Sequence, residues 1–390
     1  MARRSKIVSS TLITGALLLT SLGLGGIAMS AETPAAKSAG GGVTAAHAAQ
    51  PGHAAQPGHA AHAGHAAHAG HAAQPGHAMA ASAASSPEDP DGDGYIPANP
   101  PVTGVTPSTK EPPHRYFHEF QANCSVSHTK ADDPIVYPQR PGASHDHTFM
   151  GNTTTDAAST TASLDAGRTT CKAPGDKSGY WMPTLFNGDK PVLPIGPQTI
   201  YYKAGVTDYT SVRPFPKGLR FVVGDPAQTA EEFRRHPGFV EGWECGDSYF
   251  NVAFPKDCPS RPEVQLNIRF QAPSCWDGKY LDTPDHRSHM AYPVVNPGTN
   301  NNVCPADHPV ALPMVEFKMA FPVNGDLSRA RLASGPSWSF HYDFFNAWDA
   351  PTLKALVDHC VVGALQCDAR GYDQTHPEAG AALDENYELP

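Results

Sequence analysis

The sequence lacks the short motifs that mark several large enzyme classes. It contains no GxSxG nucleophile elbow, no Walker phosphate-binding loop and no HExxH zinc-protease motif. Basic residues are also few, since 28 Lys and Arg stand against 38 Asp and Glu, and the formal net charge is -10 at pH 7. These absences exclude the corresponding enzyme templates. The acidic balance argues against nucleic acid or an anionic membrane surface as a partner.

Aromatic residues are absent before Tyr95, and the chain has only one long apolar run. A basic start, the apolar run from Ile7 to Ala28 and small residues near Ala31 form the pattern of a secretory signal peptide over residues 1–31. A retained membrane anchor is the alternative for this run. We therefore expect a secreted, extracellular protein with no membrane contact after cleavage.

Residues 32–110 are mainly Ala, Gly, Pro, Ser and His, with no amphipathic repeat, and we predict a disordered, low-complexity segment. Eight histidines lie between His47 and His77, separated by two or five residues. Free imidazole titrates at about pH 6.5, so such a run can bind copper or zinc weakly in many geometries. A linker whose histidines have no special role is the alternative.

The acidic stretch DPDGDGYI lies near the end of this segment. Asp89, Asp91 and Asp93 match the first half of a calcium-binding loop, but its twelfth position falls on Pro100, which has no ligand side chain. The pattern predicts an acidic linker, with weak calcium binding as the alternative.

We predict one folded domain over residues 111–368, followed by a C-terminal tail over 369–390. Short runs such as EVQLNIRF, with Val264, Leu266, Ile268 and Phe270 on one face, indicate strands. One helix is expected from Pro351 with Asp349 as its cap, and a second over 227–235, capped by Asp225 or Thr229. The fold class is mainly β: an antiparallel sandwich of jelly-roll type, rich in loops, with one or two short helices.

The chain has eight cysteines, and none follows the CxxC spacing of a zinc or redox pair. In an exported protein an even number predicts disulfides. About 105 connectivities are open to eight cysteines, and pairing between sequence neighbours is our hypothesis. The predicted pairs are Cys124–Cys171, Cys245–Cys258, Cys275–Cys304 and Cys360–Cys367.

Histidines stand beside carboxylates in three separated segments, SHDHT, DHRSH and FHYDF. Residues two apart on a strand share a face, and residues three apart can meet across one helical turn. The three segments together predict a composite copper or zinc site. Its candidate ligands are His145, His147, Asp285, His286, His289, His341 and Asp343. The alternative is that these segments have no common role: the histidines of SHDHT form a surface pair, DHRSH is a hydrogen-bonded turn, and Asp343 anchors a loop.

Six segments in fixed order, among them SHDHTFMGN, SCWDGKYLDTPDHRSHMAYP and FHYDFFNAWD, resemble an uncharacterised secreted domain family of fungi and actinobacteria. In fungi this family is sometimes joined to WSC carbohydrate-binding modules. The resemblance covers about residues 113 to 367 and excludes the His-rich segment. It implies a secreted, disulfide-containing domain and brings no activity with it. Its HxH, DHRSHMAYP and HxDF segments map onto the candidate ligands named above.

Two functions follow from the sequence. The first is a secreted metal-binding protein, with a His/Asp site in the folded domain and a metal-collecting tail. It predicts that the five histidines converge. The alternative is a secreted polysaccharide-active enzyme or carbohydrate-binding module, with an open groove lined by tryptophans and paired acids. The candidates for that groove are Trp181, Trp276, Trp338, Asp277, Asp282, Asp285 and Glu316. A copper mono-oxygenase of histidine-brace type is excluded because cleavage near Ala31 leaves no N-terminal histidine.

Overall fold

The fold is known from a computed structural model that describes residues 86–256 and 258–389. The predicted signal peptide and the eight clustered histidines lie outside the described residues. Within them the chain is mostly β, and all strand pairs are antiparallel. The fold class predicted from the sequence is therefore confirmed as a mainly β, disulfide-containing structure with few short helices.

The strands are β1 (Ile96–Pro97), β2 (Glu119–Gln121), β3 (Val126–Lys130), β4 (His147–Gly151), β5 (Gly179–Pro183), β6 (Leu185–Asn187), β7 (Lys190–Val192), β8 (Thr199–Ala204), β9 (Arg220–Gly224), β10 (Phe239–Cys245), β11 (Ser248–Asn251), β12 (Leu266–Gln271), β13 (Cys275–Trp276), β14 (Tyr280–Asp282), β15 (Met290–Ala291), β16 (Val294–Val295), β17 (Asn302–Val303), β18 (Val310–Ala311), β19 (Pro313–Phe321), β20 (Ala330–Leu332) and β21 (His341–Phe345). The α-helices are α1 (Thr161–Ala166), α2 (Ala230–Arg235) and α3 (Ala350–Leu356).

Two large sheets form the body of the domain. One has six strands in the order β11-β10-β12-β19-β8-β2, and the other has five in the order β3-β4-β5-β21-β9. Strand β12 alternates as predicted, because Leu266, Ile268 and Phe270 are buried while the residues between them are partly exposed. Its buried face therefore points to the other sheet.

The two sheets pack face to face through large aromatic side chains. The ring centres of Phe317 on β19 and Tyr342 on β21 are 3.9 Å apart, and those of Phe317 and Tyr180 on β5 are 5.9 Å apart. Aromatic rings bury much apolar area and favour such edge-to-face contacts. The main hydrophobic core thus lies between the sheets, as in a β-sandwich.

The five-stranded sheet also buries its outer face. Phe149, Trp181, Val222 and Phe345 form a smaller apolar cluster there, and Ile135 from the loop after β3 packs on it. Because side chains alternate along a strand, this outer face also carries His147, His341 and Asp343. These polar side chains therefore lie among buried apolar residues on the outer face of the sheet.

The two predicted helices are present, but α2 begins three residues later than predicted. Asp349 caps α3 by accepting a hydrogen bond from the Thr352 backbone, and the chain continues as a π-helical turn over Val357–Val362. Helix α2 begins at Ala230 with Thr229 as its cap. Helix α1 was not predicted from the sequence, because its single buried residue, Leu164, gives no apolar repeat.

The N-terminal boundary of the domain differs from the prediction. Residues 86–110, assigned to the disordered segment, lie on the domain: β1 pairs with β14, and the backbone N–H of Val102 donates to Gly278. Ile96 and Ala98 are buried there. The sequence contains no periodic signal for this packing, because the apolar residues are isolated between prolines. Burial of these side chains and backbone hydrogen bonds together hold the extended chain on the domain.

The C-terminal residues also differ from a simple tail. The backbone N–H of Leu383 donates to Arg370, and Tyr372 pairs with Ala381 in a short antiparallel bridge. The Leu383 side chain is fully buried in the main core. This hairpin-like return is therefore part of the folded unit.

All eight cysteines form disulfides, and none is free. The structure joins the four pairs of the sequence hypothesis, Cys124–Cys171, Cys245–Cys258, Cys275–Cys304 and Cys360–Cys367.

Candidate functional site

The candidate site is a group of three histidines on the covered outer face of the five-stranded sheet. His147 begins β4, His145 precedes it in the loop, and His341 begins β21. The Nε2 atom of His341 lies 3.2 Å from Nε2 of His145 and 3.4 Å from Nε2 of His147. We call these three residues the histidine site.

Backbone carbonyls fix the proton positions on two of these rings. Nδ1 of His147 lies 2.9 Å from the carbonyl oxygen of Asp132, and Nδ1 of His341 lies 2.9 Å from that of Ser339. A carbonyl only accepts, so each Nδ1 carries the proton and donates it. In the neutral rings both Nε2 atoms therefore present lone pairs to each other. Such an arrangement can accommodate a cation, or a proton donated by the Nε2 atom of His145, which lies 3.2 Å from that of His341.

Burial keeps the three rings neutral. Burial, together with the neighbouring His145, lowers the pKa of His341 to about 3. Burial, with the adjacent histidines, also holds the pKa of His147 well below its usual value, and burial lowers the pKa of His145. Neutral imidazoles are the form that binds a metal.

Two buried carboxylates flank the histidine site. Asp343 lies two residues after His341 on β21, and Asp133 comes from the loop that covers the sheet. One oxygen of each lies within 4.8 Å of a ring nitrogen of His147. Burial raises the pKa of both carboxyl groups, most strongly that of Asp343. Asp133 was not among the residues predicted from the sequence. Its position directly before the apolar run PIV could have indicated that it lies near the core.

His286 lies apart from the histidine site and pairs with a different acid. Its Nδ1 is 3.0 and 3.2 Å from the two carboxylate oxygens of Asp282, and its backbone adopts the left-handed conformation, with φ of 57°. Burial lowers the pKa of His286, but the hydrogen bond and charge of Asp282 outweigh it, so the pKa lies above its usual value. Left-handed backbone is rare outside glycine and marks local strain.

The Asp282–His286 pair borders a cavity of about 480 Å³. Tyr137 and Ile135 form part of its apolar wall, and Arg140 also lines it. This volume is in the range of small-molecule sites.

The other residues of the DHRSH segment have structural partners. Nδ1 of His289 lies 3.0 Å from the hydroxyl of Thr283, and its Nε2 lies 2.8 Å from the carbonyl oxygen of Arg220. Asp285 accepts the backbone N–H of Ser288 at 2.9 Å. Burial raises the pKa of Asp285, but the hydrogen bonds that it accepts outweigh this and lower the pKa to about 2. Three of the five predicted histidines thus converge.

The predicted calcium residues form a turn. The carboxylate of Asp89 accepts the backbone N–H groups of Gly92 and Gly94 at 3.0 and 3.1 Å, and Asp93 accepts that of Tyr95. One oxygen each of Asp89, Asp91 and Asp93 lies within 4.8 Å of the others. Calcium binding there stays a prediction.

Of the residues named for a carbohydrate groove, Asp282 and Asp285 line the cavity beside His286, whereas two of the tryptophans and Glu316 lie in the interior. Trp181 and Trp276 are buried in the structure. Glu316 is fully buried in the six-stranded sheet, where it pairs with Lys203 at 3.1 Å and Arg269 at 2.9 Å. Packing and ion pairing thus account for these side chains.

No helix among the described residues is long and apolar enough to cross a membrane.

Comparison with known proteins gives one family and no closer relative. No curated protein and no solved structure matches the chain. The model of the family described as "Domain of unknown function (DUF1996)" matches residues 133–348. This range spans the histidine site and its flanking carboxylates, from Asp133 to Asp343. The chain therefore belongs to the DUF1996 family.

Proposed function

We propose that this chain is a secreted metal-binding protein whose folded domain holds one copper or zinc ion on His145, His147 and His341. The eight clustered histidines collect metal for that site. One observation carries the proposal: three neutral imidazoles converge through Nε2, and two of them are held by backbone carbonyls. Such hydrogen bonds orient the ring and fix its tautomer in metal sites.

The distances support a tetrahedral ion. Ligand nitrogens about 2.0 to 2.1 Å from such an ion lie about 3.3 Å apart. Nε2 of His341 lies 3.2 and 3.4 Å from the Nε2 atoms of His145 and His147, and the ligand atoms of all three residues lie within 4.8 Å of one another. Three protein ligands leave the fourth position for water or a substrate, which is the pattern of catalytic rather than structural zinc sites. Copper is favoured over zinc by intrinsic affinity for nitrogen ligands.

Secretion is part of the proposal. The N-terminal pattern of residues 1–31 and the resemblance to secreted domains, some joined in fungi to WSC modules, support export. Four disulfides fit an oxidising compartment.

Metal retention by the folded domain tests the proposal. The protein for this test is the full chain with the eight histidines from His47 to His77 replaced by alanine, which we call the tail-silent chain. After dialysis against a weak chelator we expect at least one retained equivalent of copper or zinc by elemental analysis, one of them at the histidine site. His145→Ala should lower retention by one equivalent, because two imidazoles hold a divalent ion far less tightly than three.

His114→Ala is the matched control, since His114 is exposed and lies outside the histidine site. This variant should retain the metal. A copper(II) EPR spectrum with nitrogen hyperfine coupling would identify copper, whereas zinc gives no signal. Equal retention by the tail-silent chain and its His145→Ala variant would contradict the proposal, as would no retention by either.

A saccharide ligand is the second candidate function. The cavity beside Asp282 and His286 favours it, because an aromatic side chain, Tyr137, and a guanidinium, Arg140, line it together with a histidine–carboxylate pair. Polysaccharide binding becomes the first function to examine if the tail-silent chain retains no metal.

A further inference from the structure

We propose that a second divalent cation binds between the carboxylates of Asp133 and Asp343, directly beside the histidine site. This inference deepens the proposed metal function and rests on it. It turns a mononuclear site into a centre with two neighbouring ions of different ligand chemistry.

The two carboxylates come from separate elements and meet inside the protein. Asp343 belongs to β21, and Asp133 to the loop that covers the outer face of the sheet. Both are buried, with exposed fractions of 0% and 3%. An oxygen of each and a ring nitrogen of His147 all lie within 4.8 Å of one another. A single ion at their centre is within reach of both acids.

Asp343 accepts no hydrogen bond from any of the described residues. Both of its oxygens are buried and unpartnered among the described residues, and so is Nε1 of the neighbouring Trp181. Oδ1 of Asp133 accepts the backbone N–H groups of Ile135 and Val136, both at 2.9 Å, and the Trp181 side chain lies beside this carboxyl group. Buried polar atoms are nearly always satisfied, so an unsatisfied pair of oxygens indicates a missing ion, water or proton.

No lysine or arginine among residues 86–256 and 258–389 forms an ion pair with either acid. Glu316 shows how this chain otherwise compensates a fully buried carboxylate, since Lys203 and Arg269 both pair with it. An uncompensated buried charge is strongly unfavourable, and two adjacent carboxylates repel each other. Without an ion, the raised pKa of both groups favours protonation, which removes these charges; a divalent cation that replaces the protons compensates both carboxylates instead.

The donor atoms decide the kind of ion. In His147, Nδ1 donates to Asp132 and Nε2 faces His341, so this ring serves the histidine site. The second ion therefore takes carboxylate oxygens, with water in its remaining positions. Oxygen donors suit magnesium, calcium or manganese, and zinc also accepts carboxylate oxygen, whereas the three imidazoles suit copper or zinc. Zinc is accepted by both donor sets and is the probe of choice.

Crystals of the tail-silent chain grown with zinc alone test the inference. Anomalous difference maps at the zinc edge should show two peaks, one among the three Nε2 atoms and one between Asp133 and Asp343. Elemental analysis after dialysis should give two equivalents. Asp343→Asn should reduce this to one, because an amide keeps the shape of the carboxylate but loses its charge.

Asp133→Asn provides a second variant with the same expected loss of one equivalent, should Asp343→Asn fail to fold. Asp176→Asn is the matched control, because Asp176 is also fully buried but accepts the hydroxyl of Tyr180 instead. It should retain two equivalents. A single peak at the histidine site, with one equivalent that Asp343→Asn keeps and His145→Ala loses, would overturn the second ion and leave the proposed function intact. No peak in the unsubstituted protein would overturn both.

Discussion

At the scale of single residues, the environment gives the same side chain opposite properties. Burial and the neighbouring histidines hold the pKa of His147 and His341 below the usual value, and no carboxylate among the described residues is hydrogen-bonded to either ring. His286 is also largely buried, yet Asp282 raises its pKa. The first two rings are therefore suited to metal binding, whereas His286 is suited to carrying a proton.

The raised pKa of His286 predicts a pH-dependent contribution to stability. The protonated ring is favoured in the folded state, so this contribution is fully present below the unfolded pKa of about 6.5 and is lost as the pH rises through the higher folded value. We expect His286→Asn to lower the free energy of unfolding more at pH 5.5 than at pH 8.5. Asparagine tolerates left-handed backbone, which limits the effect to the lost charge.

Urea unfolding of the metal-free protein at the two pH values measures this difference. His114→Asn is the control at an exposed position. A destabilisation by His286→Asn that is the same at both pH values would show that the Asp282–His286 pair contributes no linked protonation.

At the scale of single elements, β21 supplies two layers of the molecule. Its inward residues, Tyr342 and Phe344, pack in the core, while His341 and Asp343 reach the covered outer face. A shift of one residue in the strand register would exchange the two sets. The histidine site therefore depends on the register of β21 against β5 and β9.

The N-cap of α3, the helix that follows β21, is testable by substitution. The carboxylate of Asp349 accepts the backbone N–H of Thr352 at 2.9 Å. We expect Asp349→Ala to lower the free energy of unfolding by about 1 kcal/mol, as for other N-caps. Asp349→Ser keeps a capping oxygen and should be close to the original protein in urea unfolding. Equal losses in both variants would mean that the cap does not stabilise the helix.

At the scale of the whole molecule, both ends of the described chain pack on the sandwich. Residues 86–110 add β1 and line the cavity near His286, and the C-terminal return places Leu383 in the core. The folded unit is therefore larger than the range 133–348 that the family model matches.

Removing the Leu383 side chain tests whether the C-terminal return stabilises the domain. Leu383→Ala should lower the free energy of unfolding by about 2 to 5 kcal/mol, the usual loss for a buried leucine. Leu389 is half exposed, so Leu389→Ala should change it by less than about 0.5 kcal/mol. A negligible effect of Leu383→Ala in thermal and urea unfolding would show that the return is dispensable.

The sequence by itself determined the features that depend on neighbouring residues. Alternation in EVQLNIRF indicated β12, and Asp349 with Pro351 indicated α3, because strand faces and helix caps are local properties. The four disulfides each join cysteines that are next to each other in the order of the cysteines along the chain, 7 to 47 residues apart, as the hypothesis of pairing between sequence neighbours predicted. His145 and His147 were recognisable as a pair for the same reason.

Only the tertiary structure decided which of these groups meet. Strand β21 inserts between β5 and β9, which brings His341 to His147 across 194 residues, while His289 turns to the carbonyl of Arg220. Asp133 joins Asp343 through a covering loop with no periodic signal of its own. Lateral strand order and loop placement arise from the packing of the whole core, and no local pattern encodes them.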